Sequence, residues 1–535
     1  MAFVDLSTVN RCSLPKESFR NANQTCGLAR STLSCGSLVY LINYLDIFFC
    51  VFKLPTISIY GLISAFLLLV HLSLTFMLTK YFFVPNLATL IEFAPMTMFG
   101  SSFLLFGPTF FVSYYNSFWE ICNPHEPESI CLSPLQFAKM MGDILRYILI
   151  GVMVICMQGY RVDGVTFWSC MSFILTGMVY LYVVIKKSYN VHLIVADLHS
   201  IKFRVTVILY TFLMVLLVIF VVSYANFQRS KVKSKQTQEN YLEMDSGDEI
   251  LGKYQKQRAF SRREIWLKLI NGYRNMADSN VIYRIAMIPS YFVLATFIPV
   301  ISNDRALIGW NKCTSCLGLL ILPIICLPHG FKAVSWLIVC LTCWTLSILT
   351  FISTHSLRRP DNIWIFALLG LIVSSVFINL LSREIENIIY QYISMQFDVM
   401  PDVTALIYFG LGEMLSESIV VRCLQQRKMW DATFGVVMSL VTYAIFLAFP
   451  LLFYQGCYNN KCSIIVTSST ETTIHFIFLV LSTCLLHVSL SGYEFRISLF
   501  FYLLVLTVFY LTLQWMTHYD WILSFATLHK SKNND

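Results

Sequence analysis

The chain has 535 residues, of which 57% are apolar, 15% aromatic and only 13% charged, where a soluble domain carries about 25% charged residues. So few polar groups cannot cover a water-facing globule, which makes lipid the solvent for much of the chain. The net charge of +8 carries no nucleic-acid signal, because the basic residues concentrate in one connecting segment.

The first 50 residues lack an uninterrupted apolar core preceded by positive charge, so a cleaved secretory signal is not expected. Arg11, Lys16, Arg20 and Arg30 fit a mitochondrial transit peptide, whereas Asp5 and Glu17 count against one. Residues 1–53 read as an N-terminal tail with a glycosylation sequon at Asn23 and cysteines at 26 and 35.

A spanning helix needs about 20 apolar residues. Runs 54–79, 93–119, 165–185, 205–227, 333–356, 363–382 and 497–518 contain no Lys, Arg, Asp or Glu. Runs 143–160, 291–302, 313–330, 403–421, 434–458 and 472–491 are shorter or carry ionisable groups. Together they predict an all-α polytopic membrane protein with roughly eleven to thirteen helices, since isolated apolar segments pair their backbone groups internally only as helices. The predicted organisation is an N-terminal membrane half (54–227), a hydrophilic loop (228–283), a C-terminal membrane half (284–525) and a short tail. The loop holds eleven Lys/Arg and seven Asp/Glu, which places it in the cytoplasm or the matrix. Cys26 with Cys35, Cys122 with Cys131 and Cys457 with Cys462 are close pairs in exposed segments and suit disulfides on the opposite, oxidising face, with the pairing left open.

Ionisable groups within spans are the candidates for function. Asp143 and Arg146 stand i, i+3 at the head of a span and read as a structural ion pair. His71 and His487 read as packed, hydrogen-bonded histidines. Cys313-x-x-Cys316 and Cys340-x-x-Cys343 read as helix packing, because neither has a second ligand pair at zinc spacing. Arg383, Glu384, Glu386 and Asn387 close the run from 363, so Glu384 and Asn387 either face a cavity or sit at a helix end. The strongest cluster is Gly410-Leu411-Gly412-Glu413-Met414-Leu415-Ser416-Glu417. Glu413 and Glu417 share a helix face with Ser416 beside them, a donor set able to replace water around Ca²⁺ or Na⁺. The alternative is an ordinary amphipathic helix at a membrane edge. Gly410 and Gly412 would let another helix or an unwound backbone approach. No nucleotide loop, catalytic triad or zinc set is visible, so a transporter is expected rather than an enzyme, with no cofactor and no nucleic-acid partner.

Several ordered phrases resemble the sodium/calcium exchanger superfamily, in its mitochondrial sodium/calcium exchanger-like branch. They are Cys26…Cys35…Tyr40-Leu41…Cys50, Phe82-Phe83-Val84-Pro85-Asn86-Leu87, Phe297-Ile298-Pro299-Val300 with Trp310-Asn311-Lys312, and Phe377-Ile378-Asn379…Glu384…Asn387. The resemblance implies two inverted repeats around a midplane ion site. In the first repeat Gly100–Val112 keeps the family frame through Gly107, a possible cavity residue, but places Pro108 and Val112 at the family's Asn and Asp positions. The second repeat keeps both acids as Glu413 and Glu417 and the basic position as Arg422, with Phe409 and Leu440 where the family has Asn. The implied function is a cation antiporter contributing to calcium homeostasis, carrying Ca²⁺ and Na⁺. The reduced number of carboxylates would suit Li⁺ or H⁺ as well. The alternative is a transport-inactive pseudo-exchanger serving as a regulatory or partner subunit. The implied partners are the bilayer and inorganic cations, no protein partner is legible, and the implied compartment is the plasma membrane or the mitochondrial inner membrane.

Overall fold

The computed structural model describes residues 26, 42–44, 46–52, 57–107, 133–189, 208–209, 212–223, 281–302, 310, 312–326, 333–354, 362–397, 401–450 and 468–518. Asn23, Cys35, Pro108, Val112, the two later cysteine pairs and residues 228–280 lie outside that set.

The described chain is an all-α polytopic membrane protein. Seven helices are long and apolar enough to cross a bilayer: Ile59–Phe93, Gly164–Val183, Ile363–Tyr392, Val403–Gln426, Trp430–Ala448, Ser469–Leu490 and Ile497–Thr517. Four shorter apolar helices accompany them among the described residues: Met98–Gly107, Phe212–Ser223, Ile285–Phe297 and Leu337–Ser353. In chain order the elements are α1 (Ile57–Leu78), α2 (Val84–Phe93), α3 (Met98–Gly107), α4 (Ser133–Cys156), β1 (Tyr160–Arg161), α5 (Gly164–Tyr189) and α6 (Phe212–Ser223). There follow α7 (Val281–Phe297), α8 (Lys312–Cys326), α9 (Ala333–Ser353), α10 (Ile363–Phe397), α11 (Pro401–Ile407), α12 (Leu411–Gln426), α13 (Trp430–Tyr443), α14 (Ser468–Leu490), β2 (Glu494–Phe495) and α15 (Ile497–His518).

Two helices are interrupted by a π-helical turn ahead of a proline. Thr79–Phe83 joins α1 to α2 just before Pro85, and Ala444–Ala448 extends α13 just before Pro450. Proline cannot donate to the carbonyl four residues back, and the wider turn lets the helix continue. The predicted run 54–79 therefore does not stop at 79.

The chain divides into two compact units. One comprises Met1–Phe76, Phe106–Val215 and Ile378–Asp535. At its centre stands α4, which touches each helix from α11 to α15. Helix α13 is buried along almost its whole length, whereas α15 turns Phe501, Val505 and Val508 outward, as a lipid-facing helix does. Beyond the helix ends, β1 and β2 pair antiparallel, with Tyr160 opposite Phe495 and Arg161 opposite Glu494, which ties the α4–α5 hairpin to α14–α15. The Tyr160 ring stacks on Trp430 and on Phe495, and its hydroxyl donates to Asp431. Cys26 is disulfide-bonded to Cys50 rather than to the nearer Cys35.

The other unit comprises Met77–Leu105 and Leu216–Phe377. Here α7, α8 and α9 pack in sequence, and the irregular stretch after α7 is held by one side chain. Asn86, fully buried, donates to the Phe82 and Pro299 carbonyls at 2.9 Å each and accepts from the Ile301 amide at 2.8 Å. Thr89 adds a hydroxyl to the Ile301 carbonyl at 3.1 Å. An unwound backbone in hydrocarbon must find such partners.

Candidate functional site

The acid pair lies just after a break in the backbone. Helix α11 ends at Ile407, and α12 starts at Leu411 with Gly410 as its N-cap at φ 80°. That left-handed conformation suits glycine, and a Cβ there would meet Asp143 Oδ1 at 2.5 Å and Arg146 Nη2 at 2.7 Å. Gly412 is equally closed: a Cβ would lie 2.9 Å from Ser382 Cα and Oγ. Of the two expected approaches, another helix or an unwound backbone, it is a neighbouring helix that comes close, α4 at Gly410 and α10 at Gly412.

Glu413, Ser416 and Glu417 are all buried, at 5%, 7% and 8% exposure, so they do not form the exposed face of an amphipathic helix. Glu413 occupies the first turn of α12, where the helix dipole favours an anion. Ser416 donates its hydroxyl to the Glu413 carbonyl at 2.7 Å, which leaves its oxygen lone pairs for a cation but no proton for an anion.

Helix α4 turns a polar stripe toward this site, Lys139, Asp143, Arg146 and Tyr147, at the spacing of one helix face. Arg146 binds Asp143, as expected, and also donates from Nη1 to the Leu406 carbonyl at 2.6 Å. A broken helix in hydrocarbon leaves its last carbonyls without partners, and the guanidinium supplies them. The predicted start of this span at Asp143 is corrected: α4 begins at Ser133, and Lys139 is inside it.

Lys139 is 4% exposed. Its Nζ lies 2.5 Å from Glu386 Oε1 and 3.6 Å from Glu413 Oε1. The Tyr147 hydroxyl reaches Glu413 Oε2 at 3.4 Å. Two cations, Lys139 and Arg146, thus face four carboxylates, Asp143, Glu386, Glu413 and Glu417, from helices α4, α10 and α12. Carboxylates gathered away from water favour a neighbouring cation, because a buried charge is costly unless it is compensated. Lys139 was not among the expected site residues. The signal for it was its place four residues before Asp143 and seven before Arg146.

The predicted helix end near 383–387 is also corrected. Helix α10 runs on to Phe397, so Arg383, Glu384, Glu386 and Asn387 lie well within it, and only Glu386 keeps appreciable exposure. Glu384 interacts with Tyr44, and Asn387 donates to the Ile42 carbonyl at 3.0 Å, so these two address the N-terminal segment. It is Glu386 that reaches Lys139. Gly107 is placed against the Tyr443 ring. Phe409 packs on Tyr390 with ring centroids 5.9 Å apart, and Leu440 is core.

The remaining motifs are structural. His71 Nδ1 lies 2.8 Å from the Leu67 carbonyl, and His487 Nε2 lies 3.1 Å from Ser498 Oγ. Cys316, Cys340 and Cys343 are free thiols on helices.

Among curated proteins, the chain is similar to the mitochondrial sodium/calcium exchanger protein of Gallus gallus, 24% identical over 172 residues and 29% of each chain. The same protein of Rattus norvegicus is 24% identical over 181 residues, 31% of each chain, and that of Mus musculus 24% over 233 residues, 39% of each. The match thus spans about three tenths of the length of the first two relatives. No family model matches the chain, and no solved structure matches it. The chain is a distant relation of the mitochondrial sodium/calcium exchanger branch.

Proposed function

From this distant relation, we propose that the protein is a transmembrane cation antiporter of the sodium/calcium exchanger type. The observation that carries the reading is the buried pair Glu413 and Glu417, one turn apart on α12, directly after the backbone break at Gly410. Carboxylate oxygens of this kind are hard ligands suited to Ca²⁺ and Na⁺. Loaded and empty sites differ in buried charge, and that difference is what can bias the protein between inward-facing and outward-facing states. The similarity to proteins named mitochondrial supports a mitochondrial membrane over the plasma membrane, which fractionation of the tagged chain tests. The direct test is Na⁺-gradient-driven Ca²⁺ uptake by the purified protein in liposomes. Uptake abolished by Glu413→Gln supports the reading, and an absence of uptake rejects it.

A second reading is a transport-inactive partner subunit. It is favoured by the ammonium of Lys139 lying against the acids and by apolar Phe409 and Leu440 at family Asn positions. No flux of Na⁺, Li⁺, H⁺ or Ca²⁺ is its expected result.

A further inference from the structure

We infer that Lys139 is the specificity-determining residue of the acidic site, a tethered cation standing where a free one would bind. The inference rests on the reading of Glu413 and its neighbours as a cation site.

Three observations carry it. First, the ammonium bridges carboxylates from two different helices, Glu386 on α10 at 2.5 Å and Glu413 on α12 at 3.6 Å. Drawing acids from separate elements toward one positive centre is what a bound metal ion does. Second, Ser382 Oγ is fully buried and has no hydrogen-bond partner. It lies against Gly412, next to Glu413 in sequence, and one helical turn before Glu386. It is a spare oxygen ligand at the same place, and an orphaned hydroxyl needs a reason. Third, the two cations of α4 are held differently. Arg146 is locked by Asp143 and by the Leu406 carbonyl, which fixes it as part of the backbone break. Lys139 is a point charge on a flexible four-carbon stem and can withdraw.

It follows that a free cation must displace the ammonium or share the acids with it. Either course weakens binding, most of all for a divalent ion. A like charge at this distance shifts a neighbouring charge equilibrium by about one to three powers of ten.

The test is ⁴⁵Ca²⁺ binding to the purified full chain in detergent, read alongside the Ca²⁺ dependence of its melting temperature. Lys139→Met is expected to bind Ca²⁺ at least about tenfold more tightly than the wild type. Lys139→Arg, which keeps the charge, should show no gain, and adding Glu413→Gln to Lys139→Met should abolish it. Lys139→Met/Glu386→Gln removes the ion pair as a unit, leaving no uncompensated partner, and should gain Ca²⁺ binding by less than Lys139→Met, because one carboxylate of the site goes with the ammonium. A Lys139→Met chain that folds only with Ca²⁺ present supports the inference equally. Unchanged affinity in both variants overturns it, as does a gain that survives Glu413→Gln. If Lys139→Met fails to fold even with Ca²⁺ and the double variant gains nothing, Lys139 is a structural counter-ion only. A gain in affinity without flux in any variant would remove the antiporter reading and leave this inference standing.

Discussion

Lys139 and Glu386 are 247 residues apart in sequence and meet at 2.5 Å inside the protein, joining α4 to α10. Removing one partner of a buried ion pair costs about 3–5 kcal/mol, because the other is left charged without compensation. Glu413, 3.6 Å from the ammonium, offers a substitute partner, so Glu386→Gln should fall at about 3 kcal/mol, the low end of that range. Lys139→Met/Glu386→Gln should recover most of the loss. Unfolding midpoints of the four chains in a double-mutant cycle check this. Strict additivity of the two single changes would contradict the pairing.

Gly410 is the second test of the same site. Its φ of 80° is costly for any residue with a Cβ, and the added atom would press on Asp143 and Arg146. Gly410→Ala should lower stability by about 1–3 kcal/mol from the backbone alone, and more from the displaced ion pair. A melting curve measures the sum. A wild-type midpoint would show that the break between α11 and α12 takes another form.

Asn86 anchors the irregular stretch after α7. Asn86→Leu keeps the branching at Cγ but orphans the Pro299 carbonyl and the Ile301 amide, each at about 1–3 kcal/mol. The expected readout is local. The Ile301 amide should exchange with deuterium much faster in the variant, while amides of α13 keep their protection.

Tyr160 provides a pH test outside the spans. Burial first, and then the adjacent Asp431 carboxylate, raise the Tyr160 phenol above its usual pKa. The folded protein therefore holds this proton more tightly than the unfolded chain. The stabilisation is fully present below the unfolded value of about 10 and is lost as pH rises above it. The wild type should lose more stability than Tyr160→Phe between about pH 9 and 11. Parallel curves for the two proteins would contradict the shift.

What could be read from the sequence is what short-range geometry fixes. Apolar runs of spanning length dictate membrane helices whatever they pack against, because lipid offers no partner to the backbone. Glu413 and Glu417 share a face because they are one turn apart, whereas the break at Gly410, inside the expected run 403–421, shows only in the fold. Even so, Arg383–Asn387 resembled a helix end, since charge in a span usually means an interface. Only packing, which buries that stretch in the middle of α10, shows otherwise. The tertiary structure alone decided that Lys139 faces Glu386 and Glu413, that Arg146 completes the carbonyls of α11, that Cys26 bonds Cys50 and that Asn86 holds Ile301. Each of these contacts joins residues with no local periodicity between them, and in hydrocarbon a buried polar group takes whichever partner the fold brings within reach.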